Sequence, residues 1–158
     1  MKTFPVLLAL LFTLSLPVAA NDWPSWRGPN GDGKLIEATA YPTEWSATKN
    51  IAWRVDLPDR GNSSPVVSGD RLFLTQSENE GRLRSLLCID TKDGKTLWKK
   101  TIDYGKAEET HNTNPHCPAS PVTDGTLVFA WHGNAGLHAY DFDGKEKWSR
   151  DLGSDYAH

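Results

Sequence analysis

The sequence predicts an all-β fold in which four-stranded antiparallel sheets repeat along the chain, as in the blades of a β-propeller. The chain repeats itself: residues 64–70 align with residues 120–126, and residues 88–98 align with residues 139–148. Three tryptophans close successive copies of the second segment: Trp53, Trp98 and Trp148. They lie 45 and 50 residues apart, within the range of about 40–50 residues typical of propeller blades. Outside the first twenty residues, no segment shows a helical period.

Each copy is predicted to fold into four short strands joined by polar turns. Runs rich in β-branched and aromatic residues alternate with turns that contain Gly and Asp, which favours antiparallel hairpins. In the first blade, residues 63–103, the strands are predicted at Pro65–Val67, Arg71–Thr75, Arg84–Ile89 and Thr96–Ile102. The second blade, residues 119–152, repeats this order, with its last three strands at Leu127–Trp131, Leu137–Tyr140 and Glu146–Asp151.

The first twenty residues predict a secretory signal peptide. Lys2 gives a positive start, Phe4–Val18 is mostly apolar, and Val18-Ala19-Ala20 supplies the small residues of a cleavage site. The apolar run of about 15 residues is shorter than the roughly 20 that cross a bilayer. We therefore expect export to the periplasm or the extracellular space, with no membrane span after signal cleavage.

Four further segments surround the blades. Residues 21–50 are rich in Trp, Gly and Pro, and residues 51–57 are predicted to be an outer velcro strand, one that completes the last blade of a closed ring. Residues 104–118 are a polar insertion between the two blades, and residues 153–158 begin the next connection.

The composition argues against a nucleic acid partner, and it does not decide whether the two cysteines form a disulfide. The chain has 17 Lys and Arg against 20 Asp and Glu, a formal net charge of −3. It has no basic excess with which to neutralise phosphates, so we expect no nucleic acid partner. Cys88 and Cys117 either pair, because an exported protein meets an oxidising compartment, or are two separate buried thiols.

The segment from Cys88 to Trp98 resembles a known repeat. Its pattern, Cys-x-Asp-x-x-Asp-Gly-x-x-x-Trp, resembles the pyrroloquinoline quinone (PQQ) repeat, Ala-x-Asp-x-x-Thr-Gly-x-x-x-Trp, the tryptophan-docking motif of quinoprotein dehydrogenase propellers. The opening at residues 22–33 resembles that of secreted bacterial PQQ-like β-propeller proteins of the planctomycete type. The resemblance implies structural docking roles for seven residues: Trp53, Asp90, Gly94, Trp98, Asp141, Gly144 and Trp148.

The same resemblance implies a longer protein. Propellers of this type are expected to close with about seven or eight blades, whereas this chain supplies two blades and one outer strand. Two blades alone leave a sheet face and strand edges uncovered. We therefore expect an incomplete propeller, the N-terminal portion or a fragment of a longer chain, whose partners are the remaining blades or other copies of itself.

The insertion at residues 104–118 holds the candidate ligand-binding residues. In propellers this connection lies on the ligand-binding face, so His111, Asn112, Asn114 and His116 are predicted to line a pocket; the alternative is a solvated loop with incidental histidines. Trp131 and His132 are placed elsewhere on the second blade. No catalytic residue and no metal ligand set is predicted, since the hydrolase, zinc and phosphate-loop motifs are missing from the sequence.

Three functions remain open from the sequence. The first is a binding or scaffold module, and the alternative is the N-terminal part of a PQQ-dependent alcohol or sugar dehydrogenase that uses PQQ with calcium. The residues present do not support the cofactor, because the adjacent cysteines of quinoprotein alcohol dehydrogenases have no counterpart, so whether the chain is an enzyme stays open. The third function is a carbohydrate-binding surface on four tryptophans, of which the first three are alternatively caps of the propeller base: Trp23, Trp26, Trp45 and Trp131.

Overall fold

The computed structural model describes residues 22–35, 41–107, 109–116 and 119–152. Within these ranges the chain forms two four-stranded antiparallel sheets, each with its strands in sequence order. The prediction of an all-β fold built from four-stranded blades is confirmed. The predicted signal peptide and Cys117 lie outside the described residues. No helix in the described part of the chain has the length and hydrophobicity that a bilayer crossing requires.

The two sheets have the same order and nearly the same connections. The first sheet contains β1 (Val66–Ser68), β2 (Arg71–Glu78), β3 (Leu83–Asp90) and β4 (Thr96–Asp103). The second sheet contains β5 (Val122–Thr123), β6 (Leu127–Trp131), β7 (Leu137–Asp141) and β8 (Glu146–Arg150). A short 3-10 turn, Gly133–Ala135, joins β6 to β7.

The core lies in the seam, which is the interface between the first sheet and the second. Because side chains alternate between the two faces of a strand, one face of β2 and β3 meets the facing side of β6 and β7. The buried cluster contains Val66, Phe73, Leu86, Cys88, Val128, Ala130 and Tyr140. The ring of Phe73 lies 5.0 Å from that of Phe142, so the turn between β7 and β8 closes this core.

Each of two tryptophans docks on a hairpin turn of the blade that follows it in the sequence. The indole N–H of Trp98 donates to the carbonyl of Phe142 at 2.9 Å, and that of Trp53 donates to the carbonyl of Thr91 at 2.8 Å. Each ring lies against a glycine with positive φ, Gly144 and Gly94 respectively. A Cβ at Gly94 would stand 2.7 Å from the Trp53 ring, so only glycine lets the indole approach this closely.

Residues 51–57 lie beside the first blade, and their role as an outer strand stays a prediction because the described residues do not include the blade that they would complete. They have no strand pairing in the structure, because an outer strand needs a neighbouring strand and none of the described strands pairs with this segment. The segment instead follows the first blade: Trp53 docks there, and the side-chain amide of Gln76 donates to the carbonyl of Asp59 at 3.0 Å.

The N-terminal segment covers the inner edge of both sheets. Trp23 exchanges two backbone hydrogen bonds with Val67 of β1, each 2.9 Å, and the carbonyl of Pro24 accepts one from Thr123 of β5 at 2.9 Å. The carboxylate of Asp22 accepts from the Ser68 hydroxyl at 2.9 Å. These bonds satisfy backbone groups that an open inner edge would leave exposed.

Candidate functional site

The candidate site arises from a difference in hairpin length between the two blades. Strands β2 and β3 have eight residues each, whereas β6 and β7 have five each. The blades are in phase, since Val66 pairs with Phe73 as Val122 pairs with Phe129. At about 3.3 Å per residue, the longer hairpin projects roughly 10 Å beyond the shorter one. The insertion between the blades lies across this step.

A cavity of about 260 Å³ lies at the step, and we name it the seam pocket. Its lining comes from three places: the start of β3, the inter-blade insertion, and the end of β6 with the turn that follows. The lining residues are Arg84, Thr110, Asn114, Pro115, His116, Ala119, Trp131, His132, Gly133 and Asn134.

The structure separates the four predicted ligand-binding residues into two pairs. Asn114 and His116 line the seam pocket, whereas His111 and Asn112 are exposed and do not. His111 is held in the loop itself: its Nδ1 lies 2.8 Å from the hydroxyl of Thr113, and its carbonyl accepts from the Asn114 N–H at 2.8 Å. His111 and Asn112 therefore shape the turn that carries Asn114 to the cavity.

Sequence reasoning missed the other half of the site. The sequence places Trp131 and His132 elsewhere on the second blade, with Trp131 in a possible carbohydrate-binding surface, but both line the seam pocket. No sequence pattern singles out Arg84, which lines it as well. The reason is that Arg84 reaches its partner, the carbonyl of His132, across 48 positions of sequence. The longer spacing between the second and third strands of the first blade is a sequence signal for the step, but it does not indicate which side chains meet there.

Arg84 ties the two hairpins together. Its side chain is only 2% exposed, its Nε donates to the carbonyl of Gly81 at 2.9 Å, and its Nη1 donates to the carbonyl of His132. The guanidinium also lies 4.7 Å above the ring of Tyr104, a cation–π contact. These contacts connect the first hairpin to the second at the step.

His132 is the buried polar group that the protein leaves unsatisfied. It is 3% exposed, and neither ring nitrogen has a hydrogen-bond partner in the described structure. Burial lowers the pKa of His132 to about 4, with smaller contributions from His138 and Arg84. The imidazole is therefore neutral at physiological pH, with one N–H donor and one acceptor nitrogen.

The tip of the first hairpin is backbone-strained and packs on the insertion. Asn79 and Glu80 have φ of 54° and 56°, followed by Gly81 at 80°. A Cβ at Gly81 would lie 2.5 Å from the imidazole of His116. Left-handed backbone at non-glycine residues is costly and is often found near functional sites, and here it brings the tip against a residue of the pocket wall.

The comparisons with known proteins identify the family. A family model described as outer membrane protein assembly factor BamB matches residues 25–115 and 84–158. The chain belongs to this family of PQQ-like repeat proteins. The resemblance to the PQQ repeat is thereby confirmed, while the planctomycete type stays a prediction.

Two relatives show how much of the BamB family this chain spans. It is 31% identical over 94 residues to outer membrane protein assembly factor BamB of Alkalilimnicola ehrlichii, covering 59% of this chain and 23% of the relative. The crystal structure of BamB from Moraxella catarrhalis matches with 25% identity and a TM-score of 0.47, covering 65% of this chain and 28% of that one. The chain spans about a quarter of the length of these relatives.

The name of this repeat family raises the question of a quinone. Calcium, which would accompany PQQ, takes six to eight oxygen ligands that include carboxylates. The seam pocket offers imidazoles, side-chain amides and a guanidinium, and no group of three or more His, Cys, Asp or Glu comes together in the described part of the chain. The residues at this site do not fit PQQ with calcium, so no chemical step is derived through that cofactor.

Cys88 lies within the seam core and has an environment unlike that of a reactive thiol. It is buried, and burial raises the pKa of its thiol to about 11, which keeps the sulfur protonated at neutral pH. Its pairing with Cys117 stays a prediction.

Proposed function

We propose that this BamB-family chain acts as a binding or scaffold module, contributing two blades to an exported β-propeller. One observation carries the proposal: the second sheet repeats the docking face of the first, and two of the apolar side chains on that face, Val122 and Trp148, are exposed. The name of the relatives, outer membrane protein assembly factor, supports a role in the assembly of other proteins in an exported compartment.

The two sheets carry matching rows of residues across their strands. In the first sheet, cross-strand pairing aligns Val66, Phe73, Cys88 and Trp98. In the second sheet, the same register aligns Val122, Phe129, Ala139 and Trp148. Val66 is buried by the neighbouring sheet, whereas Val122 is 43% exposed and Trp148 is 41% exposed. We name this second row, together with Trp131, the open face.

The contacts of the covered face indicate what would bind to the open face. Trp53 and Trp98 each donate to the carbonyl of the residue that follows the motif aspartate, Asp90 or Asp141. Trp148 stands at the third position of this series, so its indole N–H is expected to donate to the matching carbonyl of another blade. Covering the rest of its ring would contribute roughly 2 kcal/mol.

The experiment measures association of the exported chain by light scattering after gel filtration. We expect the wild type to self-associate through the open face, and Trp148→Glu to reduce that association, because a buried charge without a partner is strongly unfavourable. Trp45→Glu is the matched control, since Trp45 is 72% exposed and lies outside the open face.

Two kinds of result would overturn the proposal. One concerns association: the wild type stays monomeric at every concentration tested, or the two tryptophan variants lose association equally. The other is reduction of an artificial dye with an alcohol or sugar substrate after addition of PQQ and calcium, which would favour a dehydrogenase.

A further inference from the structure

We infer that the partner of the open face is the first blade of another copy of this chain, and that Trp148 of one copy replaces Trp53 on the next. This inference rests on the proposed function, because it names the partner of the open face. Three observations carry it: equivalent acceptor turns in the two blades, matching geometry of the two tryptophan rows, and the lack of strand pairing in the segment that carries Trp53.

The two blades carry equivalent acceptor turns, at residues 90–95 and 141–145. In each turn the glycine N–H donates to the carbonyl of the motif aspartate at 2.9 Å, and the φ of the glycine is positive. Trp98 occupies the second turn, and Trp53 of the same chain occupies the first. In the described part of the chain no turn of this kind is left for Trp148, so its acceptor turn must come from another blade.

The open face has the geometry of the face that is already docked. The ring of Trp148 lies 5.9 Å from that of Phe129 at an interplanar angle of 40°, and the ring of Trp98 lies 5.9 Å from that of Phe73 at 43°. In both sheets the strand register also shifts directly after the cross-strand partner of the tryptophan. Trp148 is therefore presented as Trp98 is, to the same kind of turn.

The first blade offers an apolar surface that matches the one at the seam. In the second blade, Val128 and Tyr140 form a cross-strand pair within the seam core. The same position of the first blade holds the pair of Leu72 and Ile89, which side-chain alternation places on the face away from the seam. An open face that docks there would bury apolar surface against apolar surface, as the two blades of one chain do.

The segment that carries Trp53 is the competitor for this position. Residues 51–57 form no strand, and most of them are exposed, whereas Trp98 and Trp148 stand on strands of four-stranded sheets. The indole of Trp53 already uses the carbonyl of Thr91, so an incoming Trp148 docks only after Trp53 leaves. A segment without strand hydrogen bonds opens locally at low cost, which lets a complete blade displace it.

The resulting interface joins two different surfaces of the chain. An open face on one copy and an acceptor turn on the next form a heterologous contact, which adds copies head to tail. Each added copy brings a free open face again, so the size of the assembly is expected to increase with protein concentration.

The experiment measures association of the full exported chain by light scattering and sedimentation velocity. Trp53→Ala is expected to strengthen association at least about threefold, because the competing indole and its hydrogen bond are removed. Gly94→Ala is expected to weaken it about tenfold, because its Cβ would lie 2.7 Å from a ring docked as Trp53 is. Gly125→Ala is the matched control, with positive φ and no atom within 4 Å of its Cβ, and is expected to associate as the wild type does.

A mixture of two variants tests the direction of the contact. Trp148→Glu retains the acceptor turn, and Gly94→Ala retains the open face, so each is expected to associate poorly with itself. Mixed together, they are expected to form a one-to-one pair and nothing larger. A cooperative thermal melt verifies that each variant is folded before it is mixed.

The outcomes separate this inference from the proposed function. Formation of the pair, together with stronger association of Trp53→Ala, supports the inference. The inference alone is overturned when wild-type copies associate but the mixture gives no pair, when Trp53→Ala associates no better than the wild type, or when the two glycine variants lose association equally. A wild type that stays monomeric at every concentration overturns the proposed function as well.

Discussion

At the scale of single residues, two glycines each receive a docked tryptophan: Gly144 does so at the seam, and Gly94 does so in the first blade. Trp98 lies over Gly144 as Trp53 lies over Gly94, and in each pair the indole N–H reaches a carbonyl of the same turn. Glycine is needed twice over, because φ is positive and because the ring occupies the place of a Cβ. The docking interaction therefore belongs to a pair of residues about 40 to 50 positions apart rather than to the tryptophan alone.

Substitution of Gly144 tests this pairing. A Cβ there would stand 2.7 Å from the Lys100 Cε and 2.9 Å from the Trp98 ring, at a φ of 79°. Gly144→Ala is expected to lower the free energy of unfolding by about 2–4 kcal/mol, from backbone strain and displacement of the indole. Gly125→Ala is the matched control, since it has φ of 88° but no atom within 4 Å of its Cβ, so it reports the backbone strain alone. Equal losses in denaturant unfolding would contradict the steric part of the argument.

Also at the scale of a single residue, His132 makes the free energy of unfolding depend on pH. Its pKa in the folded chain is lowered to about 4 from 6.5, so the unfolded chain binds more protons between these values. Stability is therefore expected to fall as the pH drops from 6.5 towards 4, by on the order of 3 kcal/mol, and to be independent of this group above 6.5. Denaturant unfolding at several pH values should show this slope in the wild type and a smaller one in His132→Leu. Identical slopes in the two proteins would show that another group titrates.

At the scale of elements, the turn between β2 and β3 packs against His116, a residue that lines the seam pocket, at the cost of backbone strain. Asn79 and Glu80 occupy left-handed backbone, which asparagine tolerates better than glutamate. Glu80→Gly is expected to stabilise the protein by about 0.5–1 kcal/mol, because glycine accepts this φ without strain. Gly81→Ala is expected to destabilise it, since its Cβ would meet His116. Thermal melts that shift in the same direction for both variants would contradict this account of the turn.

The elements also show which structural features could be predicted from the sequence. The third strand was predicted at 84–89 and is found at Leu83–Asp90, and the fourth was predicted to end at Ile102 and ends at Asp103. Alternation of side chains and glycine turns are local signals, so they locate strands well. The seam pocket depends instead on how far one hairpin projects past another, and on contacts such as that of Arg84 with His132. No local pattern encodes such a distance, which is why the sequence predicts Asn114 and His116 for this site but assigns Trp131 to a separate carbohydrate-binding surface.

At the scale of the whole molecule, the two sheets occupy unequal positions although they share one topology. The first has neighbours on both sides, the segment that carries Trp53 on one and the second sheet on the other. On its two broad faces, the second sheet has a neighbour in the described structure only at the seam, and Pro24 bonds to its inner strand. In repeat proteins stability comes largely from such nearest-neighbour interfaces, so the two sheets are expected to differ in local stability.

Amide hydrogen exchange can measure this difference by comparing two strands in equivalent positions. Both β4 and β8 are outer strands of their sheets, but Trp98 of β4 is docked on the next turn whereas every residue of β8 is exposed. We expect β3, whose residues are mostly buried, to exchange slowest, β4 to be intermediate and β8 to exchange fastest through local opening. If the open face is a docking surface, protection of β8 rises with protein concentration while that of β4 stays constant. Equal protection of β4 and β8 at low concentration would mean that edge position, and not face coverage, sets the stability of the outer strands.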